Sequence, residues 1–394
     1  MNLLFLSPDY PDDKRSVFPF VKQLVDEIAN QGNDVQVIAP YSLTHNKRLI
    51  KQVESTSVGK GKVTVYRPYY ISLSNIKLGN LALSDWALGI AFRRGIKMIN
   101  NKPDVVYGHF WPSAYQGFKF AQKNFLPLFV ATGESKVVFK ADTEDKKAFC
   151  DYIKGVISVS SKNIDESIQN GLEIKEKSIM APNAYNPNVF MQKDRIECRK
   201  KMGFPQDAFI VAFCGAFVHR KGVKKLSDAI DSIDGTPVYS LFIGRAEEEN
   251  PSCKNILYQG TLKHNEIADY LSAADVFVLP TLNEGCCNAI IEAIACGLPV
   301  ISSDRPFNWD VLDKSNSILI DPEDSNQIAK AIKELRDNNE LRQSLSHGSQ
   351  IKAQELTIDK RAKKIIDFIK GGVYKFVFLA ENGVEPIKHR PGRV

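Results

Sequence analysis

The 394-residue chain reads as an α/β protein: two Rossmann-like domains whose parallel sheets face each other across a cleft. Three observations predict this. The length, with an ordinary apolar share of 43%, leaves room for two cores of roughly 150–200 residues each. Short β-branched runs alternate with helical periodicity, and the alternation occurs twice, which calls for parallel sheets covered on both faces. Between the two runs lies a polar stretch, 183–207, with Pro187 and Pro205, which reads as a linker. The domains are placed at 1–190 and 191–357.

In the first domain, strands are expected at 3–7, 34–39, 63–67, 105–107, 128–131 and 155–159, with a short one at 179–180. Phe20, Leu24, Val25 and Ile28 mark one helical apolar face, and Trp86, Ile90, Ile96 and Ile99 mark another. The second domain repeats the plan with strands at 210–214, 239–243, 256–258, 276–279, 299–302 and 318–320. A last helix is expected at 358–370, and the tail 371–394 carries no pattern that assigns a role.

Composition narrows the class. The seven cysteines show no CxxC spacing and several fall in apolar runs, as buried reduced thiols of a cytosolic protein would. The amino terminus, MNLLFLSPDYP, enters a strand-like run at once, so neither a signal segment nor a membrane helix is expected. Nor is a nucleic-acid partner. The net charge of +6 lies entirely in residues 1–190, with 24 Lys/Arg against 18 Asp/Glu, whereas 191–394 balance at 28 each. It concentrates further in 43–102, where 11 Lys/Arg face only Glu54 and Asp85. This segment is either a solvated face or a surface for an anionic membrane or anionic substrate.

Two motifs carry chemistry. CGAFVHRKGV, from Cys214 to Val223, follows a buried strand and precedes a helix, so free amides, Arg220 and Lys221 could converge on an anion; an exposed basic turn would fit the same residues. NEGCCNAIIEAIACGLPVI, from Asn283 to Ile301, follows the strand in ADVFVLP and reads as a helix that starts near Cys286 and stops at Gly297. Glu284 would then sit at the helix mouth and Glu292 about two turns in, roughly 9 Å along the axis. One carboxylate could reach a sugar and the other a ribose, with a diphosphate between; an exposed Glu284 and a Glu292 paired to a neighbouring cation is the plainer alternative.

The chain resembles the family-4 retaining glycosyltransferases of GT-B fold, whose second domain carries an E-x7-E element followed by an EAxAcGxPVI run, as from Glu284 to Ile301 here. VISVSSKNIDESIQNG, MAPNAYNPNVF, GAFVHRKGV, YLSAADVFVLPTLNEG and ILIDPED occur in the family's order. The resemblance implies Lys221 and Arg220 on a nucleotide diphosphate, aided by amides of Gly285, Cys286 and Cys287. It also implies Glu284 on the donor sugar, Glu292 on the ribose and His109, in YGHFWP, facing the donor sugar from the first domain. Helix 358–370 would cross back onto the first domain. The donor would be a UDP- or GDP-sugar, with no further cofactor, and the acceptor a glycan or a lipid-linked glycan. The protein would be cytoplasmic, or peripheral on the inner face of the cell membrane.

The chain also departs from the family. Ala216 stands where the family often has arginine, Thr132-Gly133-Glu134 replaces a His-Gly, loop 11–20 lacks paired glycines, and Cys286-Cys287 replaces glycine or apolar residues. Acceptor binding is therefore what the resemblance carries least. With no Asp-x-Asp triplet, metal-independent transfer is expected. A nucleotide-sugar binding protein without catalysis and a GT-B-fold epimerase are the alternatives.

Overall fold

The computed structural model describes residues 1–12, 18–46, 49–72, 77–78, 81–139 and 141–381. Expectations for residues 13–17 of the first loop, for Lys47 and Arg48, and for the tail 382–394 lie outside the described residues. The chain forms two compact units. Met1–Val159, Asn163–Ala181 and the segment starting at Ala362 make the first; Ser160–Lys162 and Pro182–Arg361 make the second.

Apart from two pairs of two-residue strands, the strands of the first unit are β1 (Asn2–Leu6), β2 (Asp34–Ile38), β3 (Val53–Val58), β4 (Gly61–Tyr66), β5 (Val105–His109), β6 (Leu128–Thr132), β7 (Gly155–Ser158) and β8 (Ser178–Met180). They form one sheet in the order β8-β7-β6-β5-β1-β2-β4-β3, parallel throughout except for β3. Strands β5, β6 and β7 are buried along their whole length, which is why they appear in the sequence as unbroken apolar runs. Strand β3 was not expected. Its residues, VESTSV, are half-buried or exposed, and it pairs antiparallel to β4 through a tight turn at Gly59-Lys60.

Helix α1 (Pro19–Asn30) buries Val21, Leu24, Val25 and Ile28, close to the expected face. Helix α2 (Leu83–Met98) keeps part of the expected face, with Ile96 and, just after the helix, Ile99 packed against the core, and departs from it at Trp86. It buries Gly89, Ala91, Phe92 and Gly95, and Trp86 points outward at 58% exposure. The reason is close approach: a Cβ on Gly95 would stand 2.4 Å from Ile38 Cγ2, so the small residues face the sheet and the large ring is left outside. Helix α3 (Trp111–Asn124) and helix α4 (Thr143–Tyr152) pack Trp111, Phe118 and Phe149 into an aromatic cluster with Phe139. Fully burying each such side chain contributes about 1.5–3 kcal/mol.

The second unit holds β9 (Phe209–Cys214), β10 (Val238–Ile243), β11 (Ile256–Gly260), β12 (Val276–Leu279), β13 (Val300–Ser303) and β14 (Ser317–Ile320). All are parallel, in the order β11-β10-β9-β12-β13-β14. The chain runs outward in one direction from β9 to β11 and in the other from β12 to β14. The junction of β9 and β12 is therefore the topological switch point, where open α/β sheets bind ligands at the carboxyl ends of their strands.

Two expected boundaries move. The break falls at Ala181/Pro182, not at 190/191, and 183–207 is not a free linker. Asp194 caps the helix Arg195–Met202, and Arg199, buried in that helix, donates to Asp275 Oδ2 (2.7 Å) and to the Ala273 carbonyl (2.8 Å). The polar residues of this stretch are committed to the second unit's own ion pairs. The last helix runs from Ile358 to Glu381, well past the expected end at 370. Its residues up to Arg361 belong to the second unit and those from Ala362 to the first. Gly371 and Gly372 do not stop it. A Cβ on Gly372 would lie 2.5 Å from Phe129 Cζ, so this glycine serves helix-to-strand packing.

Candidate active site

The site is built where β9 and β12 end side by side. Beyond Cys214 the chain passes Phe217, which is buried against Phe213 and Phe242, and makes a short 3-10 turn, His219–Lys221. Gly222 follows at φ 70°, and a Cβ there would stand 2.3 Å from the Pro280 carbonyl oxygen, so the turn can lie against the loop after β12 only with glycine. That loop answers with a hydrogen bond from Leu282 N to the Arg220 carbonyl at 2.8 Å, and Thr281 Oγ1 lies 3.2 Å from the same oxygen. Backbone thus fixes where Arg220 and Lys221 start.

Their side chains meet on one atom. Glu284 Oε1 is 2.6 Å from Lys221 Nζ and 2.6 Å from Arg220 Nη1, and it accepts from Thr281 Oγ1 at 3.0 Å. Arg220 Nη1 also donates to the Asn283 carbonyl at 2.6 Å. Burial alone would push the Glu284 carboxyl up, but the charges of Lys221 and Arg220 and their hydrogen bonds outweigh it and hold Glu284 below the usual carboxylate range. Burial likewise pulls Lys221 down, and the negative partners around it, Cys287 and Glu284, more than restore it. Burial raises the Cys287 thiol, so at neutral pH the partner that keeps Lys221 charged is Glu284. Two cations share one carboxylate, and the cluster stays net positive. The sequence reading assigns Glu284 to the donor sugar; here adjacent parallel strands deliver both loops to one spot, so its carboxylate also meets the two cations.

Helices α5 (Ser161–Gln169), α6 (Arg195–Met202), α7 (Val223–Asp231) and α8 (Ile267–Ala273) precede helix α9 (Asn288–Ala295), which starts two residues later than expected. Cys287 is extended and takes the N-cap position, and the Cys286 carbonyl is held by Asn183 Nδ2 at 2.9 Å. Cys287 is a weak cap at most, its side chain making no regular cap hydrogen bond, so the amides and dipole of this helix start face an incoming anion. Cys287 Sγ lies 3.7 Å from Lys221 Nζ, which sets the cations beside the helix mouth. Glu292 is then the fifth helical residue, roughly 6 Å along the axis, one turn in and not two. Its Oε1 is 3.2 Å from His264 Nε2, in the turn after β11.

In the first unit, His109 is the last residue of β5 and is buried, at 5% exposure. Its ring stacks on Phe5 (centroids 5.8 Å apart) and lies against Phe110 (4.3 Å). Phe110, at φ 72°, is an uncommon conformation for a bulky residue and makes the sharp corner from β5 into helix α3. Next to it the departure at Thr132-Gly133-Glu134 has a structural account. The Glu134 carboxylate accepts from Thr132 Oγ1 (2.6 Å), Gly133 N (2.9 Å) and Trp111 N (3.2 Å), closing the start of helix α3.

Of the expected site residues, the structure therefore brings Arg220, Lys221, Glu284 and Cys287 together, with Gly285 and Cys286 between them and Glu292 one turn along. His109 sits in the other unit. Two further residues, Thr281 and His264, touch the paired glutamates. Thr281 could have been found as the first polar residue after a buried strand; His264 has no such signal. Among the described residues no group of three or more His, Cys, Asp or Glu is placed to hold a metal ion.

Residues 194–351 match the family described as Glycosyl transferases group 1. Over 363 residues the chain is 26% identical to the protein assigned to teichuronic acid biosynthesis as glycosyltransferase TuaC in Bacillus subtilis, covering 84% of this chain and 88% of that one. It is 32% identical over 157 residues to the lipopolysaccharide core biosynthesis glycosyltransferase LpsE of Rhizobium meliloti, 38% of this chain and 45% of the relative. Among solved structures, sucrose-phosphate synthase from Thermosynechococcus elongatus aligns with a TM-score of 0.76 at 20% identity, covering 96% and 99% of the two chains. Anabaena HepE in complex with UDP-glucose aligns at 0.66 and 16% identity, covering 94% and 100%. At these identities the structural likeness establishes the fold, which is GT-B. With the family match and the relatives it defines the class: a glycosyltransferase of GT-B fold that carries out nucleotide-sugar glycosyl transfer.

Proposed function

We propose that this chain is a retaining, metal-independent hexosyltransferase that moves a sugar from a UDP- or GDP-sugar to a glycan or lipid-linked acceptor in polysaccharide biosynthesis. The observation that carries the reading is the net-positive Arg220–Glu284–Lys221 cluster beside the start of helix α9. When the bond between the anomeric carbon and the diphosphate breaks, negative charge grows on the leaving phosphate. Lys221, Arg220 and the amides of Gly285, Cys286 and Cys287 stabilise it with fixed charges that need no reorganisation. The acceptor hydroxyl attacks the same face of the sugar and passes its proton to the departing phosphate oxygen. Glu284 holds the sugar hydroxyls, Glu292 the ribose, and His109 the donor sugar near its reacting carbon. The absence of an Asp-x-Asp triplet supports transfer without a metal. The acceptor class is supported by the relatives' assignments to teichuronic acid and lipopolysaccharide core biosynthesis.

The same reading includes a cytoplasmic location on the inner face of the membrane. No described helix is long and apolar enough to cross a membrane. Trp86 nevertheless projects from helix α2 beside Arg93, Arg94 and Lys97, all exposed and at spacings that share one face. An exposed ring among cations suits shallow contact with an anionic lipid surface.

Incubating the protein with a panel of UDP- and GDP-sugars and following release of free nucleotide tests the activity. Slow hydrolysis of one donor is expected; epimerisation, or binding without turnover, would favour the alternatives. His109→Ala should leave free-nucleotide affinity unchanged and lower turnover by about 10- to 1000-fold, the range for losing one positioned active-site group. A fully active variant would make His109 a packing residue of β5.

A further inference from the structure

We propose that His264 is a positioning residue that aims Glu292 and thereby sets discrimination for ribose over deoxyribose in the donor nucleotide. This rests on the donor reading above, in which Glu292 receives the ribose hydroxyls. A glutamate carboxylate turns easily about its last torsion, whose preference is broad and two-fold. Two vicinal hydroxyls need it held in one plane, because each must meet a lone pair in line. His264 supplies that restraint: its Nε2 is 3.2 Å from Glu292 Oε1, and both side chains are mostly covered, at 35% and 14% exposure. The imidazole is itself held by Phe190, whose ring meets it edge-on with centroids 5.0 Å apart and planes at 79°. Phe190 is buried. An aromatic wedge thus fixes the histidine, the histidine fixes one carboxylate oxygen, and Oε2 is left to the sugar ring.

The arrangement joins three distant segments: Phe190 ahead of the first helix of the unit, His264 after β11, and Glu292 inside helix α9. It gives His264 a role through Glu292, with no part in bond making. With its proton on Nε2 the imidazole donates to Oε1, and the remaining lone pairs of Glu292 are left to the hydroxyls.

The test is calorimetry with UDP and GDP and with their 2′-deoxy counterparts, on the wild type, His264→Ala, His264→Gln and Glu292→Ala. The wild type should prefer the ribonucleotide by about tenfold or more, the scale of one hydrogen bond to a charged group. His264→Ala should lower that preference by at least about threefold by weakening the ribonucleotide alone, and His264→Gln, whose amide can donate from a similar position, should restore most of it. Equal weakening of both nucleotides in His264→Ala, or an unchanged ratio, would overturn the proposal. Glu292→Ala separates the two levels. If it abolishes the preference while His264→Ala does not, only the positioning role fails; if neither variant changes it, the ribose assignment of Glu292 fails as well.

Discussion

Glu284 holds two cations with a single oxygen, and most of the site's behaviour follows from that. In the proposed reading a diphosphate entering beside helix α9 would compete with Glu284 for Lys221 and Arg220, and the carboxylate would stand in for phosphate until the donor arrives. Removing it should therefore leave free UDP or GDP bound as tightly as before, or more tightly, while turnover falls because the sugar hydroxyls lose their acceptor. A calorimetric titration of Glu284→Ala with free nucleotide reads this directly, and a loss of affinity would show the carboxylate to be part of the nucleotide site. The cluster also has a pH signature. The folded Glu284 carboxyl lies below its ordinary 4.5, so its contribution is present above that value and lost as pH falls through the folded value. Lys221 lies above its ordinary 10.5, so its share is complete below that pH and lost only as pH rises beyond it. In urea denaturation, Glu284→Gln should be less stable than wild type by on the order of 3 kcal/mol near neutral pH, the cost of an unpaired buried charge. The gap should narrow in acid, below the folded carboxyl value. Lys221, Glu284 and Glu292 were legible in the sequence because strand, loop and helix follow one another locally there. Thr281, the first polar residue after a buried strand and three residues before Glu284, carried a local signal that went unused, whereas His264 meets Glu292 only once the chain has folded.

At the scale of elements, strands buried on both faces were legible almost residue by residue, whereas β3 was not: its polar residues bury too little to leave an apolar signature. The last helix was expected to end at 370, and it continues through Gly371-Gly372 to Glu381. The two glycines should respond oppositely to alanine. Nothing stands within 4 Å of a Cβ on Gly371, so Gly371→Ala should stabilise by about 0.5–1 kcal/mol through helix propensity. Gly372→Ala would drive a methyl against the fully buried Phe129 ring and should cost about 1–3 kcal/mol. Thermal denaturation of both variants measures the difference, and equal effects would mean that the helix does not pack on β6 as described. The linker expectation failed for a related reason. Polarity marks surface as readily as flexibility, and here it belongs to Arg199 and its buried partner Asp275.

Across the whole molecule, charge is the feature that composition could show and only structure could orient. The basic surplus of 43–102 was plain in the sequence, but of the apolar face assigned to Trp86, Ile90, Ile96 and Ile99 the tryptophan does not join Ile96 and Ile99 on the core, and the exposed ring stands with Arg93, Arg94 and Lys97. Each such cation is worth about 1 kcal/mol near an anionic leaflet. Co-sedimentation with vesicles containing anionic lipid should therefore exceed that with neutral vesicles, fall with added salt, and drop in Arg93→Glu/Arg94→Glu. Equal recovery on both vesicles would leave this face simply solvated. The central claim, that the switch point of the second unit binds a nucleotide diphosphate, is tested most directly by calorimetry of free UDP and GDP against wild type and Lys221→Ala. The account predicts that the nucleotide bound by wild type is weakened in the variant by about 1.5–3 kcal/mol, the range for hydrogen bonds to charged groups. Unchanged affinity in a folded Lys221→Ala protein would contradict it.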